Sequence, residues 1–203
     1  YLRGESMFLS HNSITNIHFF GDSLTAGYGV SSGKDWVTVL SKRMPDLTFY
    51  NHSTCGAFLQ DMIEIIPFFL RDTDNKNAVF LMAGTNDILS GLKLHVLKKQ
   101  VEQAIEILSV ISHCFIGIPP LMTRQSIFSG WQAEWAFDKN INDLKAYGNF
   151  IENLCCKNHI PYIDFSKAFP SDDTWYIDGV HPNENGHLKF ADSAEKIFRK
   201  YIK

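Results

Sequence analysis

Five short apolar runs recur along the chain: IHFF (17–20), LTFY (47–50), AVFLM (78–82), CFIGI (114–118) and PYIDF (161–165). Most are continuous rather than alternating, the pattern of strands covered on both faces. Longer segments of helical periodicity lie between them. Over 94–111, Leu94, Leu97, Val101, Ala104, Ile105 and Leu108 share a face, and over 187–202 Leu188, Ala191, Ala194, Phe198 and Tyr201 do the same. Residues 35–43, 57–70 and 140–156 are further predicted helices, one of which Pro67 must kink or end. Strand–helix alternation of this kind predicts an α/β domain with a parallel sheet. In such sheets the ligand crevice lies beyond the carboxyl ends of the strands, so the loops after the five runs are where chemistry should sit.

At 203 residues the chain is long enough for one domain with a sizeable core, and residues 1–203 are read as that domain. A start at Met7 would leave residues 1–6 as an added remnant. A hydrophobic content of 45% with sixteen Phe excludes disorder. The formal net charge is −3 and the basic residues are scattered, which is no footprint for nucleic acid. No run has the length of a membrane span, and no secretory signal stands at the N-terminus. The four cysteines lack metal-ligand spacing, and a reduced, cytoplasmic setting suits them better than a disulfide framework. Asn51 heads a glycosylation sequon, read as chance beside a buried strand.

The loops themselves are more specific. After the first run comes GDSLTAGYG, where Ser23 either presents a hydroxyl at the sheet's edge or, with Asp22, caps a helix. After the second comes NHSTCGAF, where Gly56 allows a backbone N–H to approach a substrate oxygen or serves a turn. After the third comes AGTNDIL, in which Asn86 can aim an amide into the crevice and Asp87 can hold the loop by accepting backbone N–H groups. The last is YIDGVHPNENGH, where a three-residue offset lets Asp178 accept from His181 Nδ1 and leave Nε2 free as a base. A serine, a histidine, an acid and convergent N–H donors are the parts of acyl transfer. Four loops on one side of one sheet would supply them together.

The four blocks resemble those of the GDSL, or SGNH, hydrolase family, in the same order and spacing across residues 17 to 202. The resemblance implies a flavodoxin-like three-layer α/β/α fold with a five-stranded, mostly parallel sheet. It implies Ser23 as nucleophile, His181 as base, Asp178 as its orienter, and Gly56 and Asn86 as oxyanion donors. Neither Asp22 nor Asp87 needs a catalytic role in that scheme. The nucleophile is outside a G-x-S-x-G elbow, which disfavours the larger α/β-hydrolase fold.

The expected activity is hydrolysis of small acyl esters, short-chain in preference, with no metal and no cofactor. The alternatives are a fatty-acyl thioesterase or lysophospholipase, a carbohydrate O-deacetylase, and a catalytically silent sugar-binding protein. A metal reading through His181, His187 and Asp192 would need three ligands to converge, and His187 and Asp192 fall on the predicted last helix. The stretch SIFSGWQAEWAF (126–137) is either local core or an aromatic wall of the substrate pocket. Oligomeric state is left open by the sequence.

Overall fold

The computed structural model describes residues 14–69, 76–108 and 113–202. All five apolar runs become strands: β1 (Asn16–Gly21), β2 (Thr48–Asn51), β3 (Asn77–Met82), β4 (Cys114–Ile118) and β5 (Tyr162–Asp164). They pair parallel throughout in the order β2-β1-β3-β4-β5. β5 is shorter than its apolar run because the Asp164 carboxylate accepts the Ser166 N–H and turns the chain into a 3-10 turn, Phe165–Lys167.

Side chains alternate across the sheet, as strand geometry requires. Phe20, Val79, Leu81, Ile116 and Ile118 face one layer of helices: α3 (Leu59–Phe69), α5 (Leu94–Leu108) and α7 (Glu134–Asn158). Ile17, Phe19, Phe80, Met82, Phe115 and Ile163 face the other: α2 (Trp36–Arg43) and α8 (Glu184–Tyr201). Burial on both faces is why the runs read as continuous, each large side chain contributing ~1.5–3 kcal/mol. β2 departs from that reading: it is an edge strand and three of its four residues are exposed. Three short α-helices, α1 (Ser23–Ala26), α4 (Thr85–Leu89) and α6 (Gln125–Phe128), and a second 3-10 turn, Asp173–Trp175, complete the described elements.

Two helices differ from the sequence reading. α7 starts at Glu134 rather than 140, so its first turns carry Trp135 and Phe137 outside the core. In α8 the buried face is His187, Phe190, Ala191, Ala194 and Phe198, whereas Leu188 and Tyr201 are exposed. A histidine counted as polar hides this stripe from a hydropathy reading. Pro67 lies in the last described turn of α3, which continues to Phe69. The predicted ends of two helices, at 70 and 109–111, and residues 1–6 fall outside the described residues. Among the described residues no helix is long and apolar enough to cross a membrane.

Candidate active site

The carboxyl ends of β1, β2 and β3 open into three of the four loops marked by the sequence, and the fourth follows β5. At the end of β1 a Cβ on Gly21 would lie 2.3 Å from Thr25 Oγ1, so glycine lets the chain fold straight back into α1. Asp22 caps that turn by accepting the Leu24 N–H at 2.9 Å, and Gly27 ends it with φ 84°. The cap therefore falls on Asp22, and the hydroxyl of Ser23 is left for a partner elsewhere.

That partner comes from the far end of the chain. Ser23 Oγ lies 2.9 Å from His181 Nε2, and His181 Nδ1 lies 2.7 Å from Asp178 Oδ2. Asp178 builds the turn that carries the histidine, since its Oδ1 accepts the N–H groups of Val180 at 3.0 Å and His181 at 2.8 Å. Gly179 has φ 84°, and a Cβ there would sit 2.1 Å from Ser126 N. Past the turn, Asn183 caps α8 by accepting the Gly186 N–H. Burial works against the Asp178 charge and is the largest single influence on it. Hydrogen bonds from the His181 N–H, the His181 ring and the Val180 N–H outweigh it and hold the carboxyl below its ordinary range.

Aromatic rings enclose the buried imidazole of His181. Tyr28 approaches to 4.5 Å between centroids and Trp131 to 4.9 Å, while the Trp131 Nε1–H donates to Asp178 Oδ2 at 2.8 Å. The aromatic residues of segment 126–137 thus lie outside the core: Phe128 is 85% exposed and Trp135 86%, and the segment meets the site through Trp131. Tyr28 was not singled out by the sequence reading. The signal in the sequence was its place between Gly27 and Gly29, five residues past Ser23.

Gly56 and Asn86 belong to loops that are tied together. The Thr54 N–H donates to Gly21 O at 3.0 Å, and the Asn86 side-chain amide donates to Ala57 O at 3.0 Å. Gly56 has φ 81° with open space where a Cβ would be, so the backbone conformation selects the glycine rather than crowding. Among the described residues neither the Gly56 nor the Ser23 N–H has a protein acceptor. Asp87 holds the α3 start by accepting the Leu59 N–H at 3.2 Å. His187 Nδ1 accepts the Trp36 N–H at 3.3 Å and Asp192 pairs with Arg43, so these two and His181 serve separate partners. Among the described residues no group of three His, Cys, Asp or Glu is placed to hold a metal ion.

The arrangement can pass a proton from a hydroxyl to an imidazole beside free N–H donors. The sequence profile of the GDSL-like lipase/acylhydrolase family matches residues 19–189. The chain belongs to that family. It is accordingly a hydrolase acting on ester bonds. A crystal structure of a lipolytic protein of the G-D-S-L family from Veillonella parvula superposes with a TM-score of 0.79 at 28% identity, covering 92% of this chain and 99% of that one. A carbohydrate acetylesterase family member from Sinorhizobium meliloti gives 0.74 at 17% identity, with 92% and 98% covered. The structure of TesA gives 0.73 at 16% identity, with 92% and 99% covered. No curated protein matches the sequence.

Two buried carboxyls beside this site make a prediction about stability. Burial pushes Asp22 up to about 7, opposed by its bond from Leu24 and reinforced by the charge of Asp87, and burial pushes Asp87 up to about 6. A carboxyl whose folded pKa is raised contributes stability that is full below its unfolded value of ~3.9 and is lost as pH rises through the folded value. Burial drives His187 the other way, down to about 4, so its contribution is lost as pH falls from ~6.5 toward 4. Asp22→Asn keeps an acceptor for Leu24 and removes one titration. Its stability relative to the parent should therefore rise between pH ~4 and ~7, by on the order of 3 kcal/mol. Unfolding midpoints at pH 5 and 8 check this; an offset that stays constant with pH would contradict it.

Proposed function

We propose that the chain is a single-domain serine hydrolase of short acyl esters working through an acyl-enzyme. Ser23 is the nucleophile, His181 the base and Asp178 its orienter. The Ser23 N–H, the Gly56 N–H and the Asn86 amide receive the oxyanion. The observation that carries this reading is the continuous relay Ser23 Oγ–His181 Nε2–Asp178 at 2.9 and 2.7 Å. In the first step Oγ adds to the ester carbonyl carbon as its proton moves to Nε2. The carbonyl oxygen becomes anionic and is held by the N–H donors. Collapse breaks the bond to the alcohol oxygen, which leaves with the Nε2 proton. Water then repeats the sequence on the acyl-serine and frees the acid and Ser23.

Short acyl groups are favoured because Tyr28 and Trp131 crowd the imidazole against which the substrate must sit. Nitrophenyl esters of acetate, butyrate, octanoate and palmitate test the proposal. We expect kcat/KM to be highest for acetate or butyrate and to fall steeply by octanoate. A maximum at palmitate would replace this reading with a fatty-acyl one. A folded protein inert toward all four esters would favour a silent binding role.

A further inference from the structure

The Asp178 carboxylate receives a donor that the turn around it does not supply. Its two oxygens take Val180 N–H, His181 N–H, the His181 ring and the Trp131 indole N–H. The first three arise within three residues. The fourth arrives from 47 residues away in sequence, at 2.8 Å.

The loop that brings it is built for the purpose. After α6 the chain turns at Gly130, φ 81°, and the Trp131 N–H donates back to Ser126 O at 2.9 Å. Ser126 is fully buried; its hydroxyl donates to Thr123 O at 2.6 Å and accepts from Gln132 Nε2 at 2.7 Å. Gln132 Oε1 accepts from the side-chain amide of buried Asn140 at 2.9 Å, which fastens the loop to α7. The Thr123 N–H donates to Gly179 O at 2.8 Å, and it is against Ser126 that Gly179 lacks room for a Cβ. The turn of Asp178 and the loop of Trp131 are thus one hydrogen-bonded unit. Yet Trp131 itself remains 39% exposed, so burial alone does not explain its placement.

Indole nitrogen is a donor and never an acceptor. An N–H aimed at Oδ2 is accepted more strongly by a carboxylate than by a neutral carboxyl, so it favours the ionised form of Asp178. With Oδ2 kept as an acceptor, the proton between Asp178 and His181 stays on Nδ1, and Nε2 is left bare toward Ser23. We propose that Trp131 is a positioning residue of the hydrolytic site: its indole N–H fixes Asp178 as the acceptor that selects the working His181 tautomer. The inference rests on the Ser23–His181–Asp178 reading above.

Trp131→Phe keeps a ring against His181 and removes the N–H. Measured with nitrophenyl acetate, kcat should fall about tenfold, as loss of one hydrogen bond to a charged group implies, with KM within about twofold. In an Asp178→Ala background the same substitution should have no further effect, because the N–H acts through the carboxylate. An independent reading needs no change at 131. Of the four indole N–H resonances, from Trp36, Trp131, Trp135 and Trp175, one should move when Asp178 becomes Ala, and it should move upfield. Unchanged kcat in Trp131→Phe, a rise in KM alone, an equal loss in the Asp178→Ala background, or four unmoved indoles would each overturn the inference. Ser23→Ala in the same assay separates the two levels. If that variant still turns over, the hydrolytic reading itself falls. If it is inert while the Trp131 results are null, the role of Trp131 alone falls.

Discussion

Ser23→Ala is expected to lose ester hydrolysis by ~10⁴–10⁶-fold in kcat, since members of such a triad act as a unit. The fold should survive the change. Asp22, not Ser23, caps α1, and alanine is a better helix former than serine. The bond from Ser23 to His181 is lost, at a cost of about 1 kcal/mol in stability. The melting curve should therefore stay nearly in place while activity disappears. An organophosphonate ester should add to the parent protein once, at Ser23, and not at all to the variant. Labelling at another serine, or substantial turnover by the alanine variant, would sink the assignment.

Asn86→Ala should lower kcat by ~10²–10³ with KM nearly unchanged, because the amide binds an oxygen that becomes charged only in the transition state. The same amide also donates to Ala57 O, so the variant should lose about 0.5–1.5 kcal/mol of stability as well. Asn86→Asp should be at least as damaging. It sets carboxylate oxygens against both the Ala57 carbonyl and the developing oxyanion. Steady-state kinetics well below the melting midpoint separate the two roles. A variant that melts early yet keeps full turnover in the cold would make Asn86 a loop tie only, leaving the oxyanion to Gly56 and Ser23.

The sheet was legible in the sequence because both of its faces are buried, and each strand announces itself as an unbroken apolar run. β2 is the exception that explains the rule: at the edge its exposed residues carry little of that signal. The gathering of the candidate site's loops was legible for a different reason. Ser23, Gly56, Asn86, Asp178 and His181 each follow a strand, and a parallel sheet gathers those loops on one side. What escaped were contacts without periodicity. Nothing in the spacing of Trp131 and Asp178 points to their hydrogen bond, and Tyr28 and His181 meet from opposite ends of the sequence. The tie from Asn86 to the Gly56 loop was also hidden, because the Ala57 carbonyl that takes its amide carries no side-chain signature.

The hydrogen bond between Ser23 and His181 spans 158 residues. On the reading proposed above, a nascent chain can pair β1 with β2 and β3 yet stay without its base until residue 181 has left the ribosome. His181 lies just before α8, which docks on α2 through Arg43 to Asp192 and Glu195 and through Trp36 to His187. Domains are generally folded as units during synthesis, and long-range contacts form late because loop closure must precede them. On that same reading, ester cleavage is in this sense a birth certificate for the chain: it is issued when the last turn closes on the first, so a half-made copy has a nucleophile without its base.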